Sequence, residues 1–447
     1  MGMAALTAIH TVEVRLRPRS RSLLFLLGIG SVSLLLAMET VLVGIASFSE
    51  PPVGARWLLA LNPNDPQSQF QLGRVYEKSN PTRSLEYMRR ATELSPYSRF
   101  YWWRLSNACA SAGNNDCAER ARQRLLQLCP MVPLYHWYDA QRDLRMGRED
   151  DAMAQFRHLL ELDPSYAIST WDSLRAVQSP DVLYQKMFTD RRDPELEISY
   201  VNFLSGRGED DAAFSAWKQT AANSGSFTLS TVRPYLERLI WDGRMDEAAQ
   251  VWKDLQRQEV VRRPVSDDRE NLVFNGGFEA FPLNNGFDWR WGRLTYTAID
   301  FSAPDAYRGA HCLRLDFTVS RNQEYEPVYQ VVPVSPNHRY RLEAYVRSED
   351  ITSDTGPVLR ASDTGGAGFA DAVSETTVGT TPWHPVRVDF ATGPKTQAVR
   401  LSVWRPRGRT FPTEISGTFW LDEVSLKCLD CDSTAGTEQS QANNAVQ

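Results

Sequence analysis

Three observations predict a multidomain chain: an N-terminal transmembrane helix, an all-α superhelix in the middle and an all-β sandwich at the carboxyl end. Residues 22–48 form an apolar run with a single charge, Glu39. Pro96, Pro130 and Pro164 are each 34 residues apart, and each closes an apolar helical stretch. Beyond about residue 270 the hydrophobic period falls to two. A length of 447 residues leaves room for about two to four domains. With 42% hydrophobic and 23% charged residues, most of the chain should fold. A net charge of −6 argues against a nucleic-acid binder, which needs a basic stripe to displace counterions.

The apolar run is long enough for a bilayer, which takes about 20 such residues. Arg15, Arg17, Arg19 and Arg21 precede it. Positive charge stays on the cytoplasmic side, so residues 1–21 read as a cytoplasmic segment and 22–48 as a retained anchor. The expected location is a bacterial inner membrane, single-pass, with the bulk in the periplasm. A cleaved signal peptide is the alternative, with Gly44 and Ala46 as the small residues before the cut. An extracytoplasmic location permits disulfides among Cys109, Cys117, Cys129, Cys312, Cys428 and Cys431. The last two form a lone C-x-x-C, read as structural, as a disulfide or as a redox or metal pair.

The middle region repeats. Gly113 and Ala118 stand before Pro130; Gly147, Ala152 and Phe156 stand before Pro164. The spacing recurs in Gly208, Ala213 and Trp217, then in Gly243, Ala248 and Trp252. A helix-turn-helix unit accounts for it. Gly ends the first helix in a left-handed conformation, Ala lets two antiparallel helices approach, the bulky residue fills the core, and Pro stops the second helix. These residues, with Gln71–Tyr76 (QLGRVY), resemble the tetratricopeptide repeat family over about 55–260. The second unit departs from it, with Arg122 at the bulky position, and residues 165–195 fit poorly. The resemblance implies a curved surface that grips a protein partner. The aromatic stretch Arg99–Leu105 could line such a groove or fill the core. The acids Glu149–Asp151 and Glu209–Asp211 read as helix N-terminal charge.

Residues 261–270 read as a polar linker. Beyond them HCLRLDFTV, YRLEAYVR, HPVRVDF, AVRLSVW and TFWLDEVSL alternate apolar and polar residues between turn-rich stretches. Many short strands suggest a sandwich or jelly roll over 271–430. Residues 431–447 read as a disordered tail. The opening NLVFNGGFEAFPLNNGFDWRWG and the closing Trp420-Leu421-Asp422-Glu423-Val424 resemble jelly-roll carbohydrate-binding modules of the galactose-binding-like kind. Two adjacent glycines, Gly276 and Gly277, and the spacing of Trp289 and Trp291 from Gly286 depart from that pattern.

That resemblance implies a structural calcium between the first and last strands, with Glu279 and Asp422 at the matching positions and Gly277 adding a backbone oxygen. It also implies glycan binding, which needs aromatic faces. The candidates are Trp289, Trp291, Tyr296, Tyr325, Trp383 and Trp404. Catalytic patterns such as G-x-S-x-G, H-E-x-x-H and a Walker sequence are absent from the sequence, so a non-enzyme is expected. The leading expectation is a membrane-anchored envelope protein whose repeats bind a protein and whose sandwich binds a polysaccharide, accessory to surface polysaccharide assembly or export. The alternatives are a structural adaptor whose sandwich binds no sugar, and a glycan-processing enzyme with an unrecognised site.

Overall fold

The computed structural model describes residues 19–48, 59–60, 62–188, 192–223, 227–264, 270–318, 322–365, 370–411 and 413–431. The expected cytoplasmic segment, apart from its last three residues, lies outside the described residues, as do 265–269 of the linker and the tail beyond Cys431. The chain divides into two compact units, Met1–Asp163 and Pro164–Gln447.

The first unit opens with helix α1 (Arg19–Phe48). No helix among the described residues is long and apolar enough to cross a membrane. This overturns the expected single-pass anchor and the periplasmic location that rested on it. Residues 25–41 of α1 carry exposed apolar side chains such as Phe25, Leu34 and Leu36. That run also contains Gly28, Gly30, Ser31, Ser33, Glu39 and Thr40.

Three helical hairpins follow: α2 (Pro66–Tyr76) with α3 (Pro81–Leu94), α4 (Arg99–Ser111) with α5 (Asn115–Leu128), and α6 (Pro133–Arg145) with α7 (Glu149–Leu162). Asp65, Asn80 and Asn114 cap α2, α3 and α5 by accepting backbone N–H bonds, so orphan donors at these helix starts are satisfied. Each expected turn glycine adopts a left-handed conformation: φ is 70° at Gly113, 71° at Gly147, 76° at Gly208 and 75° at Gly243. The small and bulky repeat positions are core: Ala118, Ala152, Phe156, Ala213, Trp217 and Ala248 are fully buried. Arg122, the departure from the pattern, reaches Asp139 of α6 at 2.5 Å and also pairs with Glu119. A charge pair thus replaces the apolar contact there. The structure also closes a Cys109–Cys117 disulfide between α4 and α5.

The second unit continues with α8 (Ala167–Arg175), α9 (Pro180–Phe188), α10 (Pro194–Gly206), α11 (Asp210–Ala221), α12 (Leu229–Trp241) and α13 (Met245–Arg257). The poor fit over 165–195 corresponds to α8 and α9, which have only 9 residues each.

Two five-stranded antiparallel sheets follow. The strands are β1 (Arg290–Trp291), β2 (Thr297–Ala303), β3 (Cys312–Thr318), β4 (Tyr325–Pro333), β5 (Arg339–Ile351), β6 (Val358–Asp363), β7 (Asp371–Val373), β8 (Gly379–Ala391), β9 (Ala398–Arg405) and β10 (Ser416–Cys428). The first sheet runs β1-β4-β9-β6-β7 and the second β2-β3-β10-β5-β8. Their facing sides share one core, to which Leu313, Leu315, Leu342, Ala344, Val346, Leu401, Val403, Phe419 and Leu421 contribute. The alternation in the sequence is the alternation of these inward residues with outward polar ones.

The division between units falls inside the array expected over 55–260, because the last helical hairpin packs on the sandwich. Trp252 of α13 meets Phe274 and Phe287 edge-on at 5.4 and 5.9 Å between ring centroids. Glu237 of α12 accepts from the Gly286 amide at 2.8 Å and from both Nη atoms of Arg290, at 2.7 and 3.0 Å. Val261, at the start of the expected linker, is buried, and Arg263 donates to the Asn271 and Val273 carbonyls.

Candidate functional site

The six aromatics singled out by the sequence do not form one platform. Trp289 is 1% exposed, stacks on Phe278 at 5.2 Å and donates its indole N–H to the Asn275 carbonyl. It is a core residue and offers no face to a sugar. Trp291, Tyr296 and Tyr325 are partly buried and pack against the same core. Trp291 meets Phe301 at 4.8 Å, and the Tyr325 hydroxyl bonds to the Thr297 hydroxyl at 2.7 Å. Trp404 lies on β9 of the first sheet with the Arg360 guanidinium 4.6 Å over its ring. Trp383 belongs to β8 of the second sheet. The alternation that brings residues to one face works only within a strand, and these six sit on different strands and loops.

A different constellation assembles on the outer face of the second sheet. On β5 the residues Arg341, Glu343, Tyr345 and Arg347 alternate with the buried Leu342, Ala344, Val346 and Ser348. Glu343 pairs with Arg387 of β8 at 2.5 Å, and Arg341 with Asp389 at 2.8 Å. Tyr345 stacks on Tyr307, whose ring centroid is 3.7 Å away and nearly parallel, and Trp383 stands 6.0 Å beyond Tyr307. A pocket of about 460 Å³ opens here, lined by Gly277, Arg308, Glu343, Tyr345, Arg387 and Glu423 among others. On the same sheet Trp420 is buried with Ala303 and Cys312, the partly buried Trp383 and Ala306 pack against them, and Arg347 lies 4.5 Å over the Trp420 ring. The indole N–H of Trp420 has no hydrogen-bond acceptor among the described residues. Burial pushes the Cys312 thiol up to about 12, so it stays protonated and inert.

Tyr345 was not among the sequence candidates, although its step with Arg341 and Glu343 in YRLEAYVR could have found it. No such signal marks Tyr307, which belongs to a segment without periodicity.

The expected calcium residues do converge on one segment. Glu279 accepts from the Ala310 and His311 amides at 2.8 and 3.2 Å. Asp422 is completely buried and accepts from the Arg308 amide at 3.0 Å and from that of Glu423 at 2.7 Å. Gly309 lies between them at φ 82°, and a side chain there would collide with the Glu279 carboxylate. A Cβ on Gly277 would lie 3.2 Å from Glu423 Oε1 and 3.9 Å from Asp422 Oδ1, so the residues named for calcium are neighbours. Burial pushes the Asp422 carboxyl up to about 6, against the pull of its backbone donors. Among the described residues Asp422 makes no ion pair. Its oxygens are nonetheless already engaged by backbone amides.

No protein-family model matches the chain, and no curated protein does. Among solved structures, MamA aligns at 15% identity over 51% of this chain and 98% of its own, with a TM-score of 0.27. A carbohydrate-binding module, CBM4, aligns at 12% identity over 35% of this chain and 99% of its own, with a TM-score of 0.26. The enzymatically active domain of bacteriophage CBA120 tailspike protein 4 aligns at 15% identity over 36% of this chain, which spans only 22% of that protein, with a TM-score of 0.26. None of these likenesses assigns the chain to a family. It is a set of helical hairpins followed by an antiparallel β-sandwich, as its own elements establish.

Proposed function

We propose that this is a non-enzymatic binding protein whose sandwich holds a glycan on the outer face of the second sheet and whose helices hold a protein partner. The observation that carries the glycan half is the pocket beside Tyr345. Its volume falls within the roughly 300–1,000 Å³ of ligand sites. Aromatic rings of Tyr307, Tyr345 and Trp383 stand next to a row of paired charges, a combination that suits the C–H faces and hydroxyls of sugars. The pocket's two carboxylates are engaged with arginines, Glu343 with Arg387 and Glu423 with Arg308, which favours binding over acid–base chemistry.

For the protein half, a groove of about 750 Å³ runs between α8, α10 and α12, with Ile168, Leu196, Phe203 and Pro234 along it. Ile168 is 70% exposed. Such a groove suits an apolar peptide segment, as the resemblance to tetratricopeptide repeats implies. Calcium bound by Gly277, Glu279 and Asp422 completes the reading as a structural staple.

The test is a titration of the full chain with a panel of polysaccharides. Saturable binding that weakens at least about ten-fold in Tyr345→Ala and Arg387→Ala, but not in Trp404→Ala, supports the reading; binding unchanged by both sinks it. Selection from a displayed peptide library, with Ile168→Asp as the control, tests the groove. The burial of Trp289 and the packing of Trp252 on the sandwich favour a second reading, a structural adaptor that binds no sugar. A panel that gives no response decides for it.

A further inference from the structure

The C-x-x-C pair has no part in the reading above, and the structure gives it company. Cys428 ends β10 and is disulfide-bonded to Cys431. His338 lies in the turn before β5, and its Nδ1 is 3.0 Å from Asp430 Oδ1. One ligand atom from each of His338, Cys428, Asp430 and Cys431 lies within 4.8 Å of the others, the sole such group among the described residues. We propose that these four residues bind zinc once the Cys428–Cys431 disulfide is reduced.

The scaffold holds the ligands from two sides. Cys428 pairs with Tyr340 in the β10–β5 ladder, the Leu429 amide donates to the Arg339 carbonyl at 2.8 Å, and the Arg339 amide donates to Asp430 Oδ1 at 3.0 Å. On the other side the His338 amide donates to the Thr392 hydroxyl, and the Thr392 amide donates to the His338 carbonyl. Asn337, at φ 60°, sets the turn that presents His338. Two thiolates, an imidazole and a carboxylate are a ligand set that zinc takes in tetrahedral sites with bonds of about 2.0–2.3 Å. Ligand atoms in such a site are about 3.3–3.8 Å apart, so the two sulfurs must part once their bond is broken, while the other pairs close by at most about 1 Å. His338, Cys428 and Cys431 are partly buried, and Asp430 is exposed, which leaves the ion a way in. None of the four lines the glycan pocket.

The chemistry balances. A dithiol reductant gives two electrons and two protons to the disulfide; the S–S bond breaks, two thiols form, and the dithiol becomes a cyclic disulfide. Zinc then displaces both thiol protons to solvent and forms two Zn–S bonds. The end of β10 is thus closed on itself by a disulfide when oxidised, and would be tied to the turn before β5 through His338 by the metal when reduced.

The experiment titrates cobalt(II), then zinc, into the full chain, oxidised and after reduction and removal of the reductant under inert gas. The reduced chain is expected to take up one equivalent of cobalt with thiolate charge-transfer and tetrahedral absorption bands, which zinc displaces. The oxidised chain should bind at least about ten-fold more weakly, and His338→Ala and Asp430→Asn should each weaken the reduced site about 10–100-fold. Cys428→Ser/Cys431→Ser retains the other four cysteines and should give no such bands. If that double variant binds as the reduced parent does, or if His338→Ala binds unchanged, the site is refuted. Should His338→Ala not fold, Asp430→Glu must restore what Asp430→Asn loses; equal binding by both refutes it as well.

Discussion

The helical hairpins of the first unit and the β-sandwich both bury a carboxylate, and they hold it in opposite ways. Asp139 of α6 is 4% exposed and is met by an arginine from the neighbouring helix, Arg122. Asp422 of β10 is fully buried and is met by backbone amides of Arg308 and Glu423. Adjacent helices present long side chains to each other, so a cation can reach across. Beneath the 308–311 segment of the sandwich, main-chain donors do that work. Burial pushes both carboxyls up to about 6. Neither arrangement fully compensates the charge, and the two differ in what could complete it.

The largest expected effect concerns the cores. Trp289→Ala should destabilise the sandwich by about 3–5 kcal/mol, and Phe156→Ala should cost the first unit about as much. Denaturant midpoints followed by circular dichroism check this. A Trp289→Ala chain that keeps its stability and loses only sugar affinity would restore the platform that its burial rules out.

The buried acids come next. Arg122→Met leaves Asp139 without its cation and should cost on the order of 3 kcal/mol at pH 7. The sign follows from the raised carboxyl. A folded-state pKa above the unfolded one stabilises at low pH and loses that stability as pH rises from about 4 through about 6. Without Arg122 the Asp139 carboxyl is raised further, so the Arg122→Met defect should shrink as pH falls towards about 6 and be small below it, as read from urea midpoints across pH. Asp422 has no arginine to delete, so calcium is the lever. It should raise the melting temperature of the sandwich at pH 7 and lose that effect as Asp422 takes up a proton below about pH 6. Asp422→Asn should abolish the calcium response. A calcium shift that persists in Asp422→Asn would place the ion elsewhere.

A smaller effect tests the joint between α12 and the sandwich. Glu237→Ala removes the bidentate pair with Arg290 and should destabilise the second unit by about 1–2 kcal/mol, leaving the first unit unchanged. The smallest is the cap: Asp65→Ala should cost α2 about 1 kcal/mol, seen as a lower melting temperature of the first unit alone.

The repeat array was legible because its contacts are local. Gly113, Gly147, Gly208 and Gly243 each end a helix, and Ala118, Ala152, Ala213 and Ala248 each sit where two neighbouring helices touch. The strands were legible for the same reason, since alternation such as that of Arg339–Ile351 is a property of successive residues. The apolar run over 22–48 misled in the other direction, because composition alone suggested a membrane span that no described helix provides. Other features depend on residues far apart in the chain. Only the fold decided that Trp289 is core, that Tyr345 meets Tyr307 beside Trp383, that Trp252 joins the last hairpin to the sandwich, and that His338 stands next to the C-x-x-C pair. Sequence periodicity fixes which face of its own element a residue occupies. What that face meets is set by the pairing of strands such as β5 with β8 and β10, which no local pattern encodes.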